Sequence, residues 1–232
     1  MTLTEQDRRQ VLRTRALTWA GIVVTAVLML AAMFWFPGEG RGGPRGYSFG
    51  KHFLSAMGKT RTSVSDNTIS CLIFNGTLIM VGTILVMFWK TRATFLTRPV
   101  AKKTVRNCGL TMGLAMAGIG LTPYDIFPHT HNLMTHSVIL FGVICFGLCL
   151  WGSPQEFESV KSKLGWLTIV VVAGAAHGLF VVLASKGIIS SRPALPLMQK
   201  LFVCLLALWA GWQSFLFGRV CRMKPAVANA DG

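Results

Sequence analysis

The chain has 232 residues, is 52% hydrophobic and only 13% charged, and carries a formal net charge of +15. A soluble domain of this size has nearer a quarter of its residues charged, so the composition excludes an ordinary soluble globular protein. The basic residues fall in tails and connections between apolar runs, which points to membrane topology and away from nucleic acid as a partner.

Residues 1–15 form a basic N-terminal segment. The first apolar run, about 16–36, reads "ALTWAGIVVTAVLMLAAMFWF". It is too long for the core of a secretory signal, and Pro-Gly follows it where a cleavage site would need small residues. Five further runs lie at about 68–89, 107–127, 132–151, 164–185 and 197–218. Crossing a hydrocarbon core of roughly 30 Å takes about 20 helical residues. Backbone in lipid must satisfy its own polar groups, and runs this continuous do not alternate as barrel strands do. The predicted fold is all-α: a polytopic bundle of six transmembrane helices over 16–218, followed by a C-terminal tail at 219–232.

Between the first two runs, residues 37–66 open with "PGEGRGGPRGYSFG", whose glycines and prolines disfavour regular structure. The segment "KTRATFLTRPVAKKTVRN", residues 90–106, reads as a basic loop lying against anionic headgroups. Lys and Arg number fifteen in the two tails and the connections after the second and fourth runs, against eight on the other side. That excess places both termini in the cytoplasm and 37–66 outside. Six cysteines at 71, 108, 145, 149, 204 and 221 lie in runs or at their ends, so no disulfide framework is expected. Gly109 and Gly113, with Gly118 and Gly120, would let the third helix approach a neighbour within the bundle.

Polar residues concentrate toward the outer side. Asn67, Ser70 and Asn75 open the second helix, and the third ends at Pro123, Tyr124 and Asp125. His129 and His131 are expected in an exposed turn, where replacing either should change stability little. His136 follows about a turn into the fourth helix, His177 lies in the outer half of the fifth, and Gln199 and Lys200 start the sixth. The inner half has Gln213 as its most obvious polar group. These placements predict an outward-facing polar cavity lined by Asn75, Tyr124, Asp125, His136, His177 and Gln199. A polar group inside a membrane helix is expensive and usually faces a partner in the bundle.

Three stretches carry a resemblance. "FLSAMGKTRTSVSDNTISCLIFNGTLIMVG" has a Ser-x-x-Gly motif before a helix bearing Phe-Asn; "GIGLTPYDIFPHTHNLMTHSVILFG" has a Gly-x-x-Pro-x-Asp turn and a histidine early in the next helix; "LMQKLFVCLLALWAGW" has a Gln-basic start and an interior Trp. Together they resemble an uncharacterised group of six-helix bacterial membrane proteins related to the FRAG/DRAM/Sfk set. The matching positions are Ser55, Gly58, Phe74, Asn75, Pro123, Asp125, His136 and Gln199, while His129 and His131 depart from the pattern. The resemblance implies a six-helix fold in a bacterial inner membrane and an association with lipid organisation, without an established reaction.

Three functions fit these residues. The first is a non-catalytic membrane protein that binds lipid, or packs as a subunit or scaffold of a membrane assembly or homo-oligomer, through the outer cavity. The second is a membrane-embedded zinc hydrolase acting on lipid amides or esters, with Asp125, His131, His136 and His177 as ligand candidates; catalytic zinc needs three protein ligands and one open position. His131 and His136 are five residues apart, which suits one metal only if His131 lies outside the helix. The third is a b-type haem or quinone protein, with His136 and His177 as axial ligands.

Overall fold

The structure is a computed structural model describing residues 4–39, 46–154, 157–166, 168–169, 172–174 and 194–222. Five long helices are described in full: α1 (Glu5–Trp35), α2 (Thr68–Thr94), α3 (Pro99–Leu121), α4 (Pro128–Gly152) and α5 (Ala194–Arg222). A short 3-10 helix (Leu54–Gly58) lies between α1 and α2, and residues 160–166 are also helical. No strand occurs among the described residues, beyond one isolated bridge between Arg61 and Asp66.

Local signals set the helix ends. Thr4 and Asp7 form a reciprocal capping box that starts α1, with Glu5 and Asp7 favourable at the positive end of the helix dipole. Pro99 and Pro128 occupy the first turns of α3 and α4, where a missing N–H costs nothing. The short 95–98 connection is held to the end of α4, since Thr97 donates from both N and Oγ1 to the Gly152 carbonyl at 3.0 and 3.1 Å.

Neighbouring helices run antiparallel. α2 lies between α1 and α3, α4 packs on α3, and α5 packs on α1. One end of the bundle gathers the start of α1, the α2–α3 connection and the ends of α4 and α5; it is called the basic end below. The other, the cap end, carries the 3-10 helix. The larger buried cluster, including Phe88, Trp89, Phe95, Trp209 and Phe217, lies toward the basic end. A smaller one, Ala32, Phe36, Ala56, Met57 and Phe74, lies under the cap.

α1, α2, α4 and α5 are each long and apolar enough to cross a membrane. Large apolar side chains such as Val23, Val27 and Leu30 on α1 and Leu133 and Val143 on α4 are exposed, which hydrocarbon tolerates and water would oppose. The chain is a helical membrane protein. The sequence predicted six spans. The third predicted run differs, because α3 takes Lys102, Lys103 and Arg106 into its first turns and stops at Leu121. The fifth predicted run, 164–185, falls largely outside the described residues.

Two boundaries correct the sequence reading. The expected basic loop 90–106 is mostly helix: Lys90 and Arg92 belong to α2 and Lys102 to Arg106 belong to α3. α4 starts at Pro128, so His129 and His131 lie in its first turn, not in an exposed connection. The α3–α4 turn is 122–127, closed by Phe127 N donating to the Pro123 carbonyl at 2.8 Å.

The glycines of α3 act within the bundle. A Cβ on Gly113 would lie 2.7 Å from the Gly82 carbonyl oxygen, and one on Gly109 would lie 2.2 Å from the Trp89 Cβ. The α2–α3 backbones therefore approach as small residues allow.

Candidate functional site

At the cap end, several polar residues predicted for the outer side converge on the segment 47–61. Asn67, Cys71 and Asn75 are spaced four apart on one face of α2 and reach the carbonyls of the 3-10 turn. Asn67 Nδ2 donates to Met57 O at 3.0 Å and to Lys59 O at 2.8 Å. Gly58 O accepts from Cys71 Sγ at 3.3 Å and Asn75 Nδ2 at 3.1 Å. Gly58 is required by this contact, because a Cβ there would meet Asn75 Oδ1 at 2.8 Å and the Phe74 ring at 2.9 Å.

Asp125 holds the same segment from the α3–α4 turn. Its carboxylate accepts from Thr60 N at 3.0 Å to both oxygens, from Thr60 Oγ1 at 2.6 Å and from Arg61 N at 3.1 Å. Burial alone would push the carboxyl pKa up, but these donors outweigh it and hold the group below its ordinary value.

The start of α5 supplies the third attachment. Gln199 Oε1 accepts from Leu54 N at 2.8 Å. Lys200, only 4% exposed, donates from Nζ to His52 O at 2.6 Å and to Pro196 O at 3.1 Å. The ammonium also lies 5.3 Å from the Tyr47 ring centre and 4.9 Å from that of Phe49, a cation–π arrangement. Ser48 N donates to His52 Nδ1 at 2.8 Å, which requires that nitrogen unprotonated. Burial lowers the His52 pKa; Glu39 opposes this and Lys200, Lys51 and Lys59 reinforce it.

Of the predicted cavity residues, Asn75, Asp125 and Gln199 thus meet around the cap as internal anchors. Ser55 is half-buried in the 3-10 turn, and Tyr124 is exposed with its ring edge-on to His131 at 5.6 Å. His131 is 7% exposed, with Nδ1 donating to Thr122 O at 2.8 Å. His136 is exposed on α4. Five helical positions rotate a side chain by about 140° relative to its starting face, so His131 and His136 point different ways once both lie in the helix. Among the described residues no three His, Cys, Asp or Glu side chains are grouped to hold a metal. His177, needed by both the zinc and the haem readings, lies outside the described residues.

The basic end is richer in buried polar groups than the sequence suggested. Arg92 is 1% exposed, donates from Nε to Gln213 Oε1 at 3.0 Å and from Nη2 to Ser153 Oγ, and lies 4.5 Å from the Phe157 ring centre. Gln213 passes the contact on, its Nε2 donating to both carboxylate oxygens of Glu158 at 3.3 Å. Ser162 Oγ at 3.0 Å and Trp212 Nε1 at 3.4 Å also donate to Glu158, and Lys163 Nζ donates to Ser153 O at 2.5 Å. Arg92, Glu158 and Lys163 wall a cavity of about 10 Å³, no larger than one water needs. The signal for Arg92 was its spacing: it follows the buried Phe88 by four residues on one face of α2.

The arrangement at the cap can fix a surface in place; the arrangement at the basic end can lock three elements through one guanidinium. Comparison of the chain with protein-family models, curated proteins and solved structures finds no match.

Proposed function

We propose that this chain is a non-catalytic subunit or scaffold of a membrane assembly that binds lipid or a protein partner at its cap. In this reading it has six spans and both termini in the cytoplasm of a bacterial inner membrane. The supporting observation is the triple attachment of segment 47–61 by α2, the α3–α4 turn and α5. A segment so held is a preformed contact surface, and preformed surfaces lose little entropy on binding. Five of the positions that carry the resemblance, Gly58, Phe74, Asn75, Asp125 and Gln199, lie at the cap. The 15-to-8 distribution of basic residues favours the cap as the outer side.

Native mass spectrometry after gentle extraction tests the role. Retained lipid, a retained partner or an oligomer is the expected result, and a bare monomer overturns it. Cysteine labelling of an Arg98→Cys variant tests the topology. Modification from outside intact cells would reverse the assignment of the two ends.

A further inference from the structure

The basic end also carries an open groove of about 650 Å³ between the start of α1 and the end of α2. Its origin is geometric. The two helices touch where Thr14 and Thr91 hydroxyls bond at 2.8 Å, supported by Gln10 Nε2 donating to Thr91 Oγ1 at 3.5 Å. α2 ends at Thr94, whereas α1 runs on from Thr14 back to Glu5. The overhanging face of α1, with Gln6, Arg9, Gln10 and Arg13, lines the groove together with Met87 and Lys90 of α2. Three cations stand against one carboxylate, Glu5, which bonds Arg9 Nε at 3.2 Å along the helix surface.

We propose that this groove binds the headgroup of an anionic phospholipid. Its volume lies in the range of small-molecule sites, about 300–1,000 Å³. It sits where two membrane-crossing helices leave the apolar layer, the depth at which lipid phosphates lie. Basic pockets between membrane helices are suited to anionic headgroups on electrostatic grounds. The acyl chains also have a track. Leu17 and Val24 follow Gln10 at seven-residue intervals on the same face of α1, and each is 41% exposed. An acidic protein segment would match the charges but would have no use for that apolar continuation. The site lies at the opposite end from the cap and requires only that α1 and α2 cross the membrane, so it stands or falls separately from the role proposed above.

The test uses the full chain in neutral detergent, with phosphatidylglycerol and phosphatidylcholine added in competition and bound lipid read by native mass spectrometry. Wild type should retain phosphatidylglycerol preferentially, and raised salt should remove the preference. Neutralising Arg9, Arg13 and Lys90 to Gln should weaken the preference by about fivefold per residue, the scale for one basic side chain near an anionic surface. A matched variant with Lys102, Lys103 and Arg106 changed to Gln should keep it; these are exposed basic residues of the same end, outside the groove. Equal loss in both variants would mean diffuse surface charge and overturn the site. Should the groove variant fail to fold, Arg9→Lys with Arg13→Lys retains the charge and should retain the preference. Equal retention of the two lipids by wild type overturns the proposal, as does an oligoglutamate peptide binding wild type as tightly as phosphatidylglycerol.

Discussion

Arg92 of α2 and Gln213 of α5 are joined by a 3.0 Å bond from the guanidinium Nε to the amide Oε1, with both side chains 1% exposed. The same guanidinium reaches Ser153 just beyond α4, so one side chain ties together three elements that are distant in sequence. Removing it leaves the Gln213 and Ser153 oxygens without their charged donor, and hydrogen bonds to charged groups contribute about 1.5–3 kcal/mol each. Arg92→Ala should therefore lower stability by about 3 kcal/mol or more, read as thermal unfolding in detergent. Arg92→Lys should recover less than half, because an ammonium cannot hold the two forked acceptors together. An unchanged transition in Arg92→Ala would show that the buried network carries no weight.

The length of continuous apolar sequence made α1, α2, α4 and α5 legible, because a membrane span needs about 20 apolar residues. The charges misled. Counting Lys and Arg as loop markers put Arg92 in a headgroup-facing connection, yet the helix continues to Thr94 and its Phe88–Arg92 face turns inward. The cap shows the complementary limit. Asn75, Asp125 and Gln199 were picked out as polar groups needing partners, but each meets a backbone group of 54–61, the Gly58 carbonyl or the Arg61 and Leu54 N–H, and backbone donors and acceptors leave no mark in a sequence. His131 followed from the same cause, since Pro128 reads equally well as a turn residue or as the first residue of a helix.

Asp125 makes the attachment of the cap pH-dependent. Its folded pKa lies below the ordinary carboxylate value, so its contribution is fully present above the unfolded value and is lost as pH falls through the folded one. The window lies below about pH 4, the unperturbed value for Asp. Protease or cysteine accessibility of 46–61 should rise over that window in wild type. In Asp125→Asn accessibility should be higher at neutral pH and flat with acidification. A wild-type profile matching the variant would sever Asp125 from the cap.

The two histidines of the first turn of α4 should separate on mutation. His129 is exposed, and exposed substitutions usually stay within about 0.5 kcal/mol. His131 is buried, donates to the Thr122 carbonyl and packs edge-on against Tyr124. His131→Ala should cost about 1–3 kcal/mol, the range for stranding a buried acceptor. Equal thermal transitions for the two single variants would place His131 back in an open turn.

The α2–α3 crossing gives the sharpest contrast between chemically identical substitutions. Alanine at Gly82 would put a methyl carbon 2.5 Å from the Gly113 carbonyl oxygen and 2.7 Å from the Ala117 nitrogen. At Gly113 the opposing atoms are Val86 Cγ2 at 2.5 Å and the Gly82 oxygen at 2.7 Å. Backbone atoms cannot rotate out of the way, so the helices must part, and overpacking of this kind costs about 1–3 kcal/mol. Gly147 on α4 has nothing within 4 Å of an added Cβ. There the alanine meets open space and brings only its better helix propensity, worth up to about 1 kcal/mol. Thermal unfolding in one detergent should thus rank Gly147→Ala at or above wild type, with Gly82→Ala and Gly113→Ala clearly below it. The double variant Gly82→Ala/Gly113→Ala should lose less than the sum of the singles, because one separation of the helices relieves both clashes. Strict additivity would mean that the two glycines do not share a contact.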